Sequence, residues 1–221
     1  MNYTKLKKHL FDIGDSKLAS FSKRISNSDY LFIGIKIPVL RKIIKELYTE
    51  NEINLNDFSL GEYFEIDFIY FGLSLIKIKD INLQLAFLNN EIGKAKSWMI
   101  TDSIPSFLLK YNYTTFFSFF TNSYREKEVY KRRLSFVLAI KLYKEKEILN
   151  ILKYIKENDE YIVDMAKAWL LATIAIKYTN EIYSFLKDMK PSLLKRKTIS
   201  KINESYRIKK EDKERFKLLR D

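Results

Sequence analysis

Apolar residues recur along this chain with the spacing of an α-helix. Three stripes carry the pattern: Leu134/Val137/Leu138/Leu142, Ile148/Ile151/Leu152/Ile155, and Ile162/Met165/Ala166/Trp169/Leu170/Ile174. Separations of three and four positions place all members of a stripe on one helix face. With five glycines and three prolines in 221 residues, the composition disfavours an all-β fold with many tight turns.

The predicted helices come in pairs. Residues 124–157 predict two helices that meet near Lys144, residues 160–189 two that meet near Thr179, and residues 191–219 two that meet near Ser205. Helical hairpins repeating every roughly 30–40 residues are typical of HEAT-like repeats. We therefore predict an all-α fold of antiparallel helix pairs stacked into a curved superhelix. A plain helical bundle is the alternative.

Linkers rich in Gly, Ser or Pro are absent from the sequence. We therefore predict one HEAT-like domain over residues 1–221, with less regular helices in 1–90 and stacked helix pairs in 91–221. Residues 157–159 predict a break between two of those pairs. The first residues contain no apolar segment of a signal peptide, and the longest apolar stretch is too short to cross a bilayer. We expect a cytoplasmic protein that makes no contact with a membrane.

Basic residues are concentrated in the second half of the chain. Residues 1–110 carry 15 basic and 13 acidic side chains, whereas residues 111–221 carry 25 and 15. An excess of this kind favours a polyanion as partner, most often nucleic acid. The alternative is a compositional bias towards lysine, and charge alone does not decide between the two.

The composition excludes several kinds of active site. Without cysteine there is no disulfide, thiolate nucleophile or thiolate metal site, and His9 is the only histidine. Neither form of Gly-rich phosphate loop occurs, and no metal-ligand cluster stands out. We expect no cofactor.

The segment Trp98–Ser103 (WMITDS) is the candidate for chemistry. On a continuous helix, Trp98 and Asp102 lie one turn apart on the same face. An indole face attracts positive charge, and a carboxylate adds Coulomb attraction and can position a water molecule. The alternative is structural: Trp98 and Trp169 are core residues, and Asp102 is the N-cap of a helix that contains Pro105.

Five segments in order resemble the DNA alkylation repair enzymes, the HEAT-like-repeat DNA glycosylases. They are Gly34–Arg41 (GIKIPVLR), Trp98–Ser103, Arg132–Ser135 (RRLS), Met165–Leu170 (MAKAWL) and Lys201–Ile208 (KINESYRI). The resemblance spans almost the whole chain. It implies stacked helix pairs that curve around duplex DNA, and hydrolysis of the N-glycosidic bond of cationic N3- or N7-alkylated purines.

The resemblance also implies roles for particular residues. Asp102 would be the catalytic carboxylate, Trp98 and Trp169 the aromatic residues beside the lesion, and Arg133 the basic residue near them. The predicted DNA contacts are Lys36, Arg41, Arg132, Lys195, Arg196, Lys197, Lys201 and Arg207. Duplex DNA would be the partner, and we expect a monomer.

The sequence departs from the family pattern at two positions and in its C-terminal element. Where much of the family has an Arg after its A-W-L segment, this chain has Ala172, so one backbone contact is in doubt. Lys36 replaces an Arg and cannot make a bidentate phosphate contact. The C-terminal element indicates a branch distinct from the best-characterised glycosylases. Two further hypotheses therefore stay open: a non-catalytic DNA-binding module of the same superfamily, and a helical protein-interaction scaffold.

Overall fold

The computed structural model describes residues 1–157 and 159–220, and these residues form helices and no β-strand. An isolated bridge between Leu31 and Tyr63 is the one strand-like pairing among them. The predicted all-α fold class is confirmed. Asn158, in the predicted break at 157–159, and Asp221 lie outside the described residues. The chain divides into two compact units, Met1–Lys110 and Tyr111–Asp221. That both belong to one domain stays a prediction.

Several helices of unit 1 begin at a polar N-cap residue. Its α-helices are α1 (Tyr3–Asp12), α2 (Ser16–Ser26), α3 (Ile37–Glu50), α4 (Phe64–Lys77), α5 (Ile81–Glu91) and α6 (Trp98–Ser103). Short 3₁₀ helices cover Leu55–Asp57, Ile92–Lys94 and Ile104–Ser106. The side chains of Asn2, Asp15 and Asp80 accept hydrogen bonds from backbone N–H groups in the first turns of α1, α2 and α5. The N–H groups in the first turn of a helix have no hydrogen-bond partner within that helix, so the polar caps fix where the helices start.

Helix α4 forms the centre of unit 1 and packs against α3. It is buried along almost its whole length, and two of its buried residues are acids, Glu65 and Asp67. Glu65 accepts hydrogen bonds from the backbone N–H groups of Ile33, Gly34 and Ile35 at 3.0, 2.8 and 3.3 Å. This carboxylate therefore satisfies the buried backbone that leads into α3.

Unit 2 contains helices of similar length around α9. They are α7 (Tyr113–Ser123), α8 (Val129–Ala139), α9 (Tyr161–Ile174), α10 (Thr179–Asp188), α11 (Leu193–Glu204) and α12 (Lys210–Lys217). Two 3₁₀ helices, Ile140–Leu142 and Lys146–Tyr154, follow α8. Helix α9 packs against both α8 and α11. Its buried alanines let the neighbouring helices approach. Of the apolar stripe seen in the sequence, Ala166, Leu170 and Ile174 are buried, whereas Ile162 and Met165 are partly exposed and Trp169 is exposed.

The predicted helix pairs are confirmed for residues 160–219. Helices α9 and α10 are separated just before Thr179, and α11 ends with Ser205 as its C-cap. In the preceding pair, the second helix, Lys146–Tyr154, is 3₁₀ rather than α. Its buried residues Ile148 and Ile151 are three positions apart, which matches the three residues per turn of a 3₁₀ helix.

Candidate DNA-binding and catalytic residues

Trp98 and Asp102 lie on the short helix α6, as their spacing predicts. Ser97 is the N-cap of this helix, and its hydroxyl accepts a hydrogen bond from the Met99 N–H at 3.2 Å. Trp98 and Asp102 are both partly exposed, one turn apart. Pro105 belongs to the 3₁₀ helix Ile104–Ser106, whose N-cap is Ser103. The alternative interpretation is therefore wrong on Asp102, which lies within α6 and is not an N-cap, and Trp98 is not fully buried.

A buried hydroxyl lies directly beside the Asp102 carboxylate. Thr101 Oγ1 is 3.3 Å from Asp102 Oδ1 and 2.8 Å from the Trp98 carbonyl oxygen. A hydroxyl has one proton, so Thr101 donates it to either acceptor. Thr101 is fully buried and cannot turn away, and it keeps one side of the carboxylate next to a polar group. The arrangement restricts the side-chain position of Asp102, which as a whole residue is partly exposed.

The start of α6 is attached to a buried acid of helix α4. The Tyr30 hydroxyl donates to Asp67 Oδ2 at 2.5 Å and accepts from the Lys96 N–H at 3.2 Å. Both Asp67 oxygens also accept from the Gly61 N–H, at 3.0 and 3.1 Å. Burial raises the pKa of the Asp67 carboxyl, although the hydrogen bonds from Tyr30 and Gly61 act in the opposite direction. Lys96 precedes the Ser97 cap, so this network fixes the position from which Trp98 extends.

Of the cations predicted in the N-terminal element, Arg41 is placed next to the segment that follows α6. Its Nη2 lies 3.2 Å from Ser106 Oγ, which in turn donates to the Ser103 carbonyl oxygen at 2.7 Å. Lys36 is exposed at the N-cap position of α3. Unit 1 therefore places Arg41 against Ser106, in the segment that directly follows α6.

The predicted residues of helix α8 are engaged inside unit 2. Arg132 forms ion pairs with Asp159, at 3.2 Å, and with Glu160, and donates to the carbonyl oxygens of Glu126 and Lys127 at 2.6 and 3.0 Å. Arg133 is 5% exposed and donates to the Ile162 carbonyl oxygen. The structure thus gives both guanidinium groups partners in the chain itself. Their roles towards DNA stay predictions.

A buried lysine completes the ionic network at the start of α9. Lys167 Nζ lies 3.0 Å from Asp159 Oδ2 and 3.1 Å from Asp164 Oδ1. Burial raises the pKa of Asp164, against the opposing charge of Lys167. Burial also raises the pKa of Asp159. Hydrogen bonds with Glu160 and Lys167, together with the charge of Lys167, outweigh this effect and lower the pKa to about 2. The network joins the segment before α9 to the helix itself.

Trp169 is not a core residue: it is 37% exposed and lies in an open groove of unit 2. We call this the Trp169 groove. Its volume is about 470 Å³, and it is lined by Trp169, Ala172, Thr173, Ile176, Lys201, Glu204, Ser205, Tyr206 and Arg207. The last five belong to the C-terminal element found in the sequence. The fold therefore brings Trp169 together with the predicted DNA contacts Lys201 and Arg207.

The three remaining predicted cations lie in the first turns of α11 in different surroundings. Lys195 is buried, and its Nζ donates to the Met189 carbonyl oxygen at 3.2 Å. Arg196 is exposed beside a small pocket that Pro191 also lines. Lys197 is partly exposed, with its Nζ 5.9 Å from the centre of the Tyr161 ring.

Sequence reasoning missed Tyr30, Asp67, Glu65 and Tyr206. Glu65 and Asp67 interrupt the apolar stretch Phe64–Leu75. This interruption was the signal in the sequence that could have identified them, since buried acids need partners.

In the described part of the chain, no group of three or more acidic or histidine side chains is arranged to hold a metal ion. The same residues include no helix long and apolar enough to span a membrane.

Comparison with known proteins identifies a family and a related fold. The model of the family described as DNA alkylation repair enzyme matches residues 6–203. A predicted DNA alkylation repair enzyme from Enterococcus faecalis has a similar structure, with a TM-score of 0.60 and 16% sequence identity. The alignment covers 84% of this chain and 94% of that protein. Among curated proteins, no sequence matches significantly.

Proposed function

The chain belongs to the DNA alkylation repair enzyme family, and on this premise we propose that it is a DNA glycosylase that releases cationic N3- or N7-alkylated purines from duplex DNA. The observation that carries the proposal is the pair on α6. Trp98 and Asp102 share one helix face, both reach solvent, and the helix is capped by another residue, Ser97. The carboxylate therefore lies on the same helix face as the indole and does not serve as the N-cap of α6.

In the proposed reaction Asp102 does not have to protonate the leaving base. An alkylated purine already carries a positive charge, so when the N-glycosidic bond breaks its electron pair neutralises the base and no acid is needed. The positive charge then passes to the sugar as an oxocarbenium ion. A carboxylate stabilises this charge by Coulomb attraction and accepts a hydrogen bond from the water that attacks the anomeric carbon. The proton of that water leaves to Asp102 or to solvent.

The aromatic residue beside the carboxylate supports discrimination. The face of an indole attracts positive charge, so Trp98 favours the cationic lesion and the developing sugar cation over an undamaged nucleotide. The half-buried setting of α6 increases this preference, because electrostatic interactions strengthen where water is partly excluded. Neither a cysteine nor a second histidine is required, which agrees with the composition.

Surface cations provide affinity for the DNA backbone. Lys36, Arg41, Arg196, Lys201 and Arg207 are all at least partly exposed. Contacts of such groups with phosphates do not depend on base sequence, and they weaken steeply as salt concentration rises. A repair enzyme that must search undamaged DNA needs this kind of contact.

Release of 7-methylguanine from methylated duplex DNA, under single-turnover conditions at low salt, tests the proposal. We expect the wild-type protein to release the base and Asp102→Asn to be slower by roughly 100-fold or more. Asp12→Asn is the control, since it removes an exposed carboxylate from α1 of the same unit. Its rate should equal that of the wild type.

Two outcomes contradict the proposal in different ways. If the wild type releases no base but binds duplex DNA in a salt-dependent manner, the protein is a non-catalytic DNA-binding module. If it neither releases bases nor binds DNA at low salt, its basic surface serves another partner. An unchanged rate for Asp102→Asn leaves base release in place but removes this residue from the mechanism.

A further inference from the structure

Arg41 and the end of helix α6 are joined by two hydrogen bonds in series. Arg41 Nη2 donates to Ser106 Oγ at 3.2 Å, and Ser106 Oγ donates to the Ser103 carbonyl oxygen at 2.7 Å. We call these two bonds the Arg41 relay. Ser103 is the last residue of α6 and directly follows Asp102. A side chain of α3 is therefore connected, through one hydroxyl, to the backbone beside the carboxylate.

We propose that Arg41 is a positioning residue that couples contact with the DNA backbone to the placement of Asp102. The inference rests on the proposed function and deepens it, because it gives one cation a role beyond affinity. In this role the guanidinium contacts a phosphate and Ser106 at the same time. Bound DNA then fixes the end of the helix that carries the carboxylate.

A guanidinium group suits two partners at once. It has five N–H donors in a fixed planar arrangement, so a contact with Ser106 leaves others for a phosphate. Arg41 is exposed, whereas Leu40 and Ile44 of the same helix are buried. The backbone of α3 is thus held in the core while the Arg41 side chain reaches the surface. A lysine keeps the charge but has a compact ammonium group without this planar fork.

The turn that carries Ser106 is anchored to the core by its neighbour Phe107. The Phe107 ring lies 5.6 Å from the ring of Phe68 on α4, in an edge-to-face arrangement. Gly72 makes room for it, since a Cβ at that position would lie 3.0 Å from Phe107 Cζ. The Phe107 N–H donates to the Ile104 carbonyl oxygen at 2.9 Å and closes the 3₁₀ turn. A contact at Ser106 is therefore transmitted to α6 instead of being absorbed by a loose loop.

Helix α6 is short enough for its ends to decide its orientation. It has six residues and so forms few hydrogen bonds within itself. The Tyr30 hydroxyl holds its start through the Lys96 N–H, and the Arg41 relay holds its end. Displacing a reacting group by about 1 Å can slow a reaction about 100-fold, so even a partial loss of the relay should be measurable.

Single-turnover release of 7-methylguanine, measured together with the affinity for an undamaged duplex, tests the inference. Arg41→Lys should bind the duplex with the salt dependence of the wild type but release the base roughly tenfold more slowly. Ser106→Ala should show the same difference between rate and affinity, because it removes the hydroxyl and no charge. Ser106→Thr keeps the hydroxyl and should retain the wild-type rate.

A double substitution and a control on the same helix make the test specific. Arg41→Lys combined with Ser106→Ala should be no slower than either single variant, because both break the same relay. Lys42→Met is the control, since Lys42 is an exposed cation of α3 whose Nζ lies 3.7 Å from Glu46. It should release the base at the wild-type rate.

Two kinetic results overturn the inference. One is a wild-type rate of base release in Arg41→Lys or in Ser106→Ala. The other is a double variant whose rate falls by the product of the two single effects, because the two side chains then act independently.

Amide hydrogen exchange gives a readout that does not depend on base release. An undamaged duplex should slow exchange in residues 98–107 of the wild type, and Ser106→Ala should lose this protection. Equal protection in the two proteins, or none in either, also overturns the inference. A protein that shows the protection but releases no base loses only the proposed glycosylase activity. One that releases the base at the same rate with and without the Ser106 hydroxyl loses only the relay.

Discussion

Tyr30→Phe is the sharpest test of how helix α6 is held in place. The substitution removes one oxygen atom from a fully buried ring and leaves the packing of the ring intact. That oxygen donates to Asp67 at 2.5 Å and accepts from the Lys96 N–H at 3.2 Å. Phenylalanine makes neither hydrogen bond.

The size of the effect follows from these two contacts. A hydrogen bond to a charged or partly charged acceptor contributes about 1.5–3 kcal/mol, and a neutral one about 0.5–1.5 kcal/mol. Solvent does not replace the lost hydroxyl, because Asp67 is itself fully buried. We expect the free energy of unfolding to fall by about 2–4 kcal/mol. The pKa of Asp67 should also rise further, since the Tyr30 hydrogen bond lowers it at present.

Urea denaturation followed by far-ultraviolet circular dichroism measures the change. Tyr70→Phe is the control, because it also removes a phenol oxygen in unit 1, but one that lies 3.4 Å from Glu91 and is half-buried. Its loss should cost about 0.5 kcal/mol or less. Amide hydrogen exchange adds a local readout: protection in the first turn of α6 should fall in Tyr30→Phe and persist in Tyr70→Phe.

Two results would refute this reasoning. If Tyr30→Phe unfolds at the same urea concentration as the wild type, the buried hydroxyl contributes nothing. If stability falls but the α6 amides keep their protection, the network stabilises α4 without fixing the start of α6. Only the combination of both losses supports a positioning role for Tyr30.

Three further substitutions test other buried groups. Gly34→Ala should lower the free energy of unfolding by about 2–4 kcal/mol in urea denaturation, because Gly34 has φ +92° and an added Cβ would lie 1.9 Å from a backbone oxygen. Lys167→Ala should lower it by about 3–5 kcal/mol, since it leaves two carboxylates without their buried ammonium partner; a smaller loss means that water compensates them. Burial raises the pKa of Asp67, so the native state binds its proton more readily than the unfolded chain. The stability of the wild type relative to Asp67→Asn should therefore increase as pH falls from neutral towards about 4, and a decrease would contradict this sign.

The regular helices were predictable because their apolar stripes are continuous. Helix α9 buries Ala166, Leu170 and Ile174 of its predicted stripe, and α11 ends with Ser205 as its C-cap, where the sequence indicated a break. Helix α2 shows that periodicity does not fix burial: Leu18, Phe21 and Ile25 follow helical spacing, yet only Ser26 is buried along this helix. The 3₁₀ conformation of residues 146–154 was also beyond a periodicity argument, because spacings of three fit both kinds of helix.

For the candidate site, local spacing was informative and long-range pairing was not. Trp98 and Asp102 are one turn apart, so the sequence alone placed them on one face. Tyr30 and Asp67 are 37 residues apart, and nothing in the sequence indicates that their side chains meet. The partners of a cation in the fold are also not visible in the sequence. Arg132 and Arg207 look alike there, but Arg132 is held by carboxylates and Arg207 lines an open groove.

This difference between cations predicts how DNA binding depends on salt. Each phosphate contact lowers the slope of log K against log salt concentration by about 0.9 for duplex DNA. Arg207→Ala should therefore reduce the magnitude of the slope by about 1. Arg132→Ala should leave the slope unchanged and instead lower stability, because its guanidinium is bound by Asp159 and Glu160. Fluorescence anisotropy with an undamaged duplex measures both slopes. A reduced slope for Arg132→Ala in the folded variant would mean that this side chain exchanges its carboxylates for phosphate when DNA binds.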